Sequence, residues 1–170
     1  MPLESPAWGL TIAYWLHMLA TVVWIGSLAG LVLLVLPAAG KALQPQPYAA
    51  LLEHIQRRLD PLGWFCLLLL AGTGLFQMSA SPNYRGFIAI ETTWAAAILV
   101  KHLVFLGMLG ISAWTTWGVL PGLRRAAWRV AQGKDVPEAA RLQRRSLALL
   151  RLNFALSIVV LALTALARAS

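Results

Sequence analysis

The stretch WGLTIAYWLHMLATVVWIGSLAGLVLLVLP, Trp8–Pro37, contains no Asp, Glu, Lys or Arg, and His17 is its only side chain that titrates near neutrality. A helix needs about 20 predominantly apolar residues to cross a hydrocarbon core about 30 Å thick, and this one has them to spare. Further apolar runs at Leu62–Ala80, Thr92–Leu120 and Ser146–Ala167 reach or approach that length. The expected fold is all-α: a bundle of four transmembrane helices at about 8–36, 62–80, 93–120 and 146–168, joined by basic loops at 38–61 and 121–145. The chain is expected to form one membrane domain, 1–170, with the lipid bilayer as its first partner.

Composition agrees with this. Of 170 residues 59% are hydrophobic and only 12% charged, which leaves no room for a separate soluble domain. The N-terminal tail has no Lys or Arg and the first apolar run is too long for a signal peptide, so helix one is expected to be retained. The single cysteine, Cys66, lies within a span and reads as a small apolar filler. A net charge of +8 would suggest nucleic acid in a soluble protein, but here the basic residues follow the loops. Lys41, Arg57 and Arg58 lie between helices one and two, and Arg124, Arg125, Arg129, Lys134, Arg141, Arg144 and Arg145 between helices three and four. Basic loops stay in the cytoplasm. The expectation is a multi-pass protein of the cytoplasmic (inner) membrane, both termini outside, with no nucleic-acid partner.

Helix one is expected to stop at Pro37, with Gly26 and Gly30 forming a GxxxG pair suited to close packing, within the chain or against a partner membrane protein. Leu51, Leu52, Ile55 and Leu59 alternate at helical spacing with Glu53, His54, Arg57 and Arg58, which predicts a short amphipathic helix lying on the cytoplasmic surface, with His54 solvated. The apolar segment Gly86–Ile90 is too short to span and is expected at the outer interface. Helix three is expected to close at Pro121-Gly122, with Trp114, Trp117 and Trp128 at the inner interface.

Ionisable residues inside a membrane mark function by default, which singles out His17, Lys101, His102 and Arg151. At 1.5 Å per residue, His17 lies roughly 13 Å inward of Trp8 and His102 roughly 12 Å inward of Trp94. Imidazoles at one depth on two helices suit a metal ion or a haem iron, because neutral imidazole is the common nitrogen ligand of both. Gly72 and Gly74 fall near the same level on helix two and leave space there. Trp24 shares the His17 face at i+7 and lends it an aromatic wall. Lys101 is turned about 100° from His102, from where its long side chain can reach the edge of a cofactor, such as a haem propionate. Among the methionines only Met78, near the outer end of helix two, suits a soft entry ligand for copper. Hydrolytic constellations are absent: the sequence has no HExxH and no nucleophile elbow.

Three segments carry a family resemblance. The run from His17 through Trp24-Ile25-Gly26 resembles the first helix of the copper-resistance protein D family. Gln56-Arg57-Arg58-Leu59-Asp60-Pro61-Leu62, leading to Gly72-Thr73-Gly74-Leu75, resembles that family's basic approach and second helix. Ile98-Leu99-Val100-Lys101-His102-Leu103 is similar to its lysine-bearing third helix. The resemblance implies an inner-membrane protein associated with copper uptake or tolerance. Three functions therefore stand side by side: a copper ion held by His17, His102 and Met78; a b-type haem with His17 and His102 as axial ligands and Lys101 on a propionate; and a structural subunit of a larger membrane complex.

The charge distribution makes a direct prediction. A reporter fused to either terminus is expected to be active only outside the cytoplasmic membrane, and cytoplasmic activity at both ends would invert the topology.

Overall fold

The computed structural model describes residues 7–82, 84, 86, 92–133 and 136–169. The expected interfacial segment Gly86–Ile90, apart from Gly86, lies outside the described residues, as do Arg85 and Lys134. Four long helices make up the fold, and each is long and apolar enough to cross a membrane. Helix α1 runs from Ala7–Ala29 through Gly30–Val35 into Leu36–Ala42, and α2 spans Pro45–Ser79. Helix α3 runs from Thr93–Ala113 through Trp114–Val119 into Leu120–Ala131, and α4 spans Pro137–Ala169. The Thr92 hydroxyl caps α3 by accepting the Ala95 N–H at 3.1 Å.

Both prolines expected to end helices fail to do so. A proline inside a helix lacks an N–H, and its ring meets the carbonyl four residues back. Ahead of Pro37 and Pro121 the helix widens: the Leu36 N–H bonds to Leu31 O and the Leu120 N–H to Thr115 O, each five residues back. The widened turn moves the obstructing carbonyls aside, and each helix continues with its proline in the first turn of the next segment. The expected loops 38–61 and 121–145 are thus largely helical.

The separate amphipathic surface helix is also corrected. Residues 48–59 are the part of α2 toward the basic end of the bundle, the end called inner below and its opposite outer, and α2 passes through Pro61 without a break. Their apolar face lies on protein: Leu52, only 2% exposed, packs with Leu31 and Leu36 of α1, with Ile55 and Leu59 beside it. His54 is exposed, and Arg57 pairs with Glu53 at 2.7 Å on the same outer face.

Helix α1 packs along α2, and α3 along α4. The two pairs meet in a core of Ala20, Trp24 and Leu28 of α1, Cys66 and Leu67 of α2 and Met108 of α3, with Phe154 of α4 against it. Polarity is arranged as lipid requires. Phe65 and Leu68 are 63% and 67% exposed, whereas Asn153 and Ser157 of α4 are buried. Buried polar side chains then bond across helices: Gln56 Nε2 donates to Ser146 Oγ at 2.8 Å, Asn153 Nδ2 to Ser112 Oγ at 3.0 Å, and Trp64 Nε1 to Thr116 Oγ1 at 3.1 Å. Each such bond contributes roughly 0.6 kcal/mol in a membrane, so together they fix register more than stability.

Close approach occurs at glycines other than the expected pair. A Cβ on Gly26 or Gly30 would meet nothing within 4 Å, so no close packing uses the GxxxG face among the described residues. A Cβ on Gly63 would lie 2.6 Å from Trp24 Cζ3, so the indole packs where only glycine leaves room. Gly63→Ala is therefore expected to lower stability by about 1–3 kcal/mol through overpacking against a rigid ring. Gly26→Ala should stay within about 0.5 kcal/mol of the parent, as at an open site. Thermal unfolding of both variants in detergent checks the contrast.

Candidate metal centre in the outer half

His17 sits on the α1 face that meets α2, and its neighbours fix its ring. The His17 Nδ1 lies 2.8 Å from Thr73 Oγ1, and the Thr73 hydroxyl reaches Leu69 O at 2.5 Å. A hydroxyl has one hydrogen, and the Leu69 carbonyl can only accept it. Thr73 must therefore accept from His17, which puts the imidazole proton on Nδ1 and the lone pair on Nε2. A protein that presents a histidine to a metal orients the ring in this way, holding one nitrogen by a hydrogen bond so that the other can coordinate.

Gly74 completes the seat: a Cβ there would stand 3.4 Å from His17 Cε1 and 3.9 Å from Nδ1, so that edge of the ring lies close to the α2 backbone. One turn outward, Gln77 Nε2 donates to Ala13 O at 3.1 Å and ties the same two helices. Thr21 donates to the His17 carbonyl at 2.7 Å, a bond within its own helix that leaves the ring untouched.

His102 is oriented by the same logic. Its Nδ1 lies 2.7 Å from Ile98 O, an acceptor only, so Nδ1 carries a proton and donates. Its row on α3 continues through Phe105 and Leu109, both of which pack against the central core. The adjacent row, Lys101, Val104 and Met108, also faces inward, with Met108 2% exposed. Lys101 lies within Coulombic range of His17 and of Arg168, and the Arg168 guanidinium sits 5.5 Å above the Tyr14 ring. The outer half thus gathers an imidazole and two cationic side chains from three helices.

The other candidates disperse. A Cβ on Gly72 would meet nothing within 4 Å, and this residue does not touch His17. Trp24, two turns inward, covers Gly63 and lines a different cavity. Met78 is buried against the outer end of α3, beside Trp94, Ile98 and Leu99. Arg151 is exposed on α4. Among the described residues no three of His, Cys, Asp and Glu come together in a metal-binding group, so any ion bound here would rely on the histidines and softer or non-protein donors.

Thr73, Gln77 and Arg168 were not singled out by the sequence pattern. Thr73 carried a signal all the same, being the one hydroxyl between Gly72 and Gly74 at the depth of the histidines. Arg168 had none, because a basic residue at a helix end is ordinarily an interfacial anchor.

Comparison with known proteins bears on what this arrangement serves. Searches of curated proteins and of solved structures found no match. A family model, copper resistance protein D, matches residues 53–167, from within α2 to the outer end of α4, leaving α1 and His17 outside the matched range. The matched range takes in Thr73, Lys101 and His102 and covers well over half of the sequence, so the chain belongs to the copper resistance protein D family.

Proposed function

We propose that this protein binds copper ions in the outer half of its bundle as the membrane step of copper uptake or tolerance, with both termini outside the cytoplasmic membrane. The observation that carries this is the orientation of His17: its Nδ1–H is held by Thr73, which leaves Nε2 as the coordinating nitrogen. His102, whose Nδ1 likewise donates to a fixed oxygen and whose expected depth is similar, is the second nitrogen donor, and Met78 is a soft ligand on the way in. Family membership supports copper as the metal.

A second reading has one observation in its favour. Lys101 lies near His17 and Arg168 near Lys101, an arrangement that suits a ligand carrying carboxylates. A b-type haem has both an iron for an imidazole and propionates for cations. The spectrum of purified protein separates the two: reduced haem absorbs sharply in the visible, whereas a cuprous centre is colourless and is found by elemental analysis.

His17→Ala is expected to abolish copper retention, measured as metal per chain after competition with a chelator. Thr73→Val keeps the shape but removes the hydroxyl, and should weaken binding by about 10–100-fold, the usual effect of losing a ligand's orienting partner. His54→Ala, on an exposed face, should leave it unchanged. Retention in His17→Ala with loss in His54→Ala would move the site to the cytoplasmic surface.

Lys101→Met tests the two readings against each other. Removing a positive charge near the imidazole should tighten binding of a bare copper cation and weaken retention of a propionate-bearing haem. Both are measured on the same purified variant.

A further inference from the structure

The inner end of the bundle carries a basic surface that the His17 site does not use. Arg124, Arg125 and Arg129 of α3 and Arg141, Arg144 and Arg145 of α4 are all exposed. Among the described residues no carboxylate lies within ion-pairing distance of any of them. The two helices run side by side here, since a Cβ on Gly122 would stand 3.3 Å from Leu142 Cδ1. Arg124 and Arg125 follow that contact within a turn, and Arg141 immediately precedes it.

One of these arginines is held in place by an aromatic ring. The guanidinium carbon of Arg145 lies 5.3 Å from the centroid of the Trp114 ring. That ring leans in turn on Gly118, where a Cβ would stand 3.5 Å from Trp114 Cδ2 and Cε2. Trp114 is 53% exposed, and Arg145 directly precedes Ser146, where the apolar part of α4 begins. The pair therefore faces lipid at the level where hydrocarbon gives way to headgroups. A guanidinium attracted to a ring face keeps N–H donors for a planar, bidentate partner, of which phosphate is the common one. Outward of the ring the same row of α3 continues through Gly110, Gly107 and Leu103, four, seven and eleven residues back. A Cβ on either glycine would meet nothing within 4 Å, and Leu103 is 59% exposed, so a shallow apolar strip leads away from the arginine.

The chemistry of the two ends selects the occupant. A free phosphate would use the arginine and leave the strip idle, whereas a phospholipid uses both. A zwitterionic headgroup would bring its own ammonium in among the guanidiniums, and a net-negative headgroup brings none. We propose that Arg145, held over Trp114, is the headgroup site of an anionic phospholipid in the leaflet at the inner end of the bundle. Arg141, one turn away on the same face of α4, shares the phosphate, and an acyl chain lies along Gly110 and Gly107. The site is independent of whatever the outer half binds.

The purified protein, delipidated in detergent, is given phosphatidylglycerol or phosphatidylcholine with the same acyl chains, and native mass spectrometry counts the lipid bound per chain. The parent is expected to retain phosphatidylglycerol in preference to phosphatidylcholine. Arg145→Gln should weaken that retention about fivefold, the usual worth of one basic side chain near an anionic surface. Trp114→Leu leaves the charge but removes the ring, and should weaken it about two- to fivefold. Arg58→Gln takes the same charge from an exposed position on α2 and should leave retention at the parental level. Equal retention of the two lipids by the parent would overturn the inference. So would equal losses in Arg58→Gln and Arg145→Gln, which would mean diffuse attraction to a basic face. Displacement of the lipid by excess inorganic phosphate would overturn it as well, because the arginines would then bind the anion without the chain.

Discussion

A polar atom in hydrocarbon has no water to bond with, and the cost of leaving it unpaired organises this molecule. The backbone meets that constraint by remaining helical along each of the four long helices, even through Pro37, Pro61 and Pro121. Side chains meet it by pairing between helices: His17 with Thr73, Gln77 with the Ala13 carbonyl, Gln56 with Ser146, Asn153 with Ser112, and Trp64 with Thr116 and through it Asp60. Leucine packing alone would let helices slide against one another or against lipid. Directional bonds between fixed positions select one register, and that register seats the His17 ring against Gly74.

The two halves of the chain meet the constraint in parallel ways. Val35-Leu36-Pro37 in α1 and Val119-Leu120-Pro121 in α3 each follow a widened turn, and Gln56-Arg57-Arg58 in α2 and Gln143-Arg144-Arg145 in α4 each stand where a helix enters from the basic side. Two α-hairpins, α1–α2 and α3–α4, pack face to face with matched inner ends. Their outer ends differ: twenty residues before its proline α1 carries His17, and α3 carries Lys101. The α3–α4 hairpin thus brings the cationic Lys101 and Arg168 to the end of the bundle where the α1–α2 hairpin brings His17.

Two polar regions result, stacked along the bundle and separated by Ala20, Leu67 and Met108. In the outer region the side-chain hydrogen bonds to His17 among the described residues act on Nδ1 or on its carbonyl. In the inner region the amide nitrogens are used and their oxygens are not.

Hydropathy summed along the chain determined that there are four spans, and the rise per residue determined that His17 lies well inside the first of them, because transfer into lipid is a property of each residue and its depth. The resemblance carried by Gln56–Leu62, Gly72–Leu75 and Ile98–Leu103 agrees with the family match over 53–167. What required the tertiary structure was every statement about a pair. Thr73 orients His17 from 56 positions away, and Ser146 satisfies Gln56 from 90 away. Residues 48–59 look amphipathic whether their apolar face meets lipid or protein, and only the packing of Leu52 on Leu31 and Leu36 decided for protein. Pro37 and Pro121 likewise signal a break in any local reading, and the widened turns that carry each helix past them were seen only in the structure. A sequence states what each residue prefers, whereas a hydrogen bond or a close contact depends on two residues, and the second is supplied by the fold.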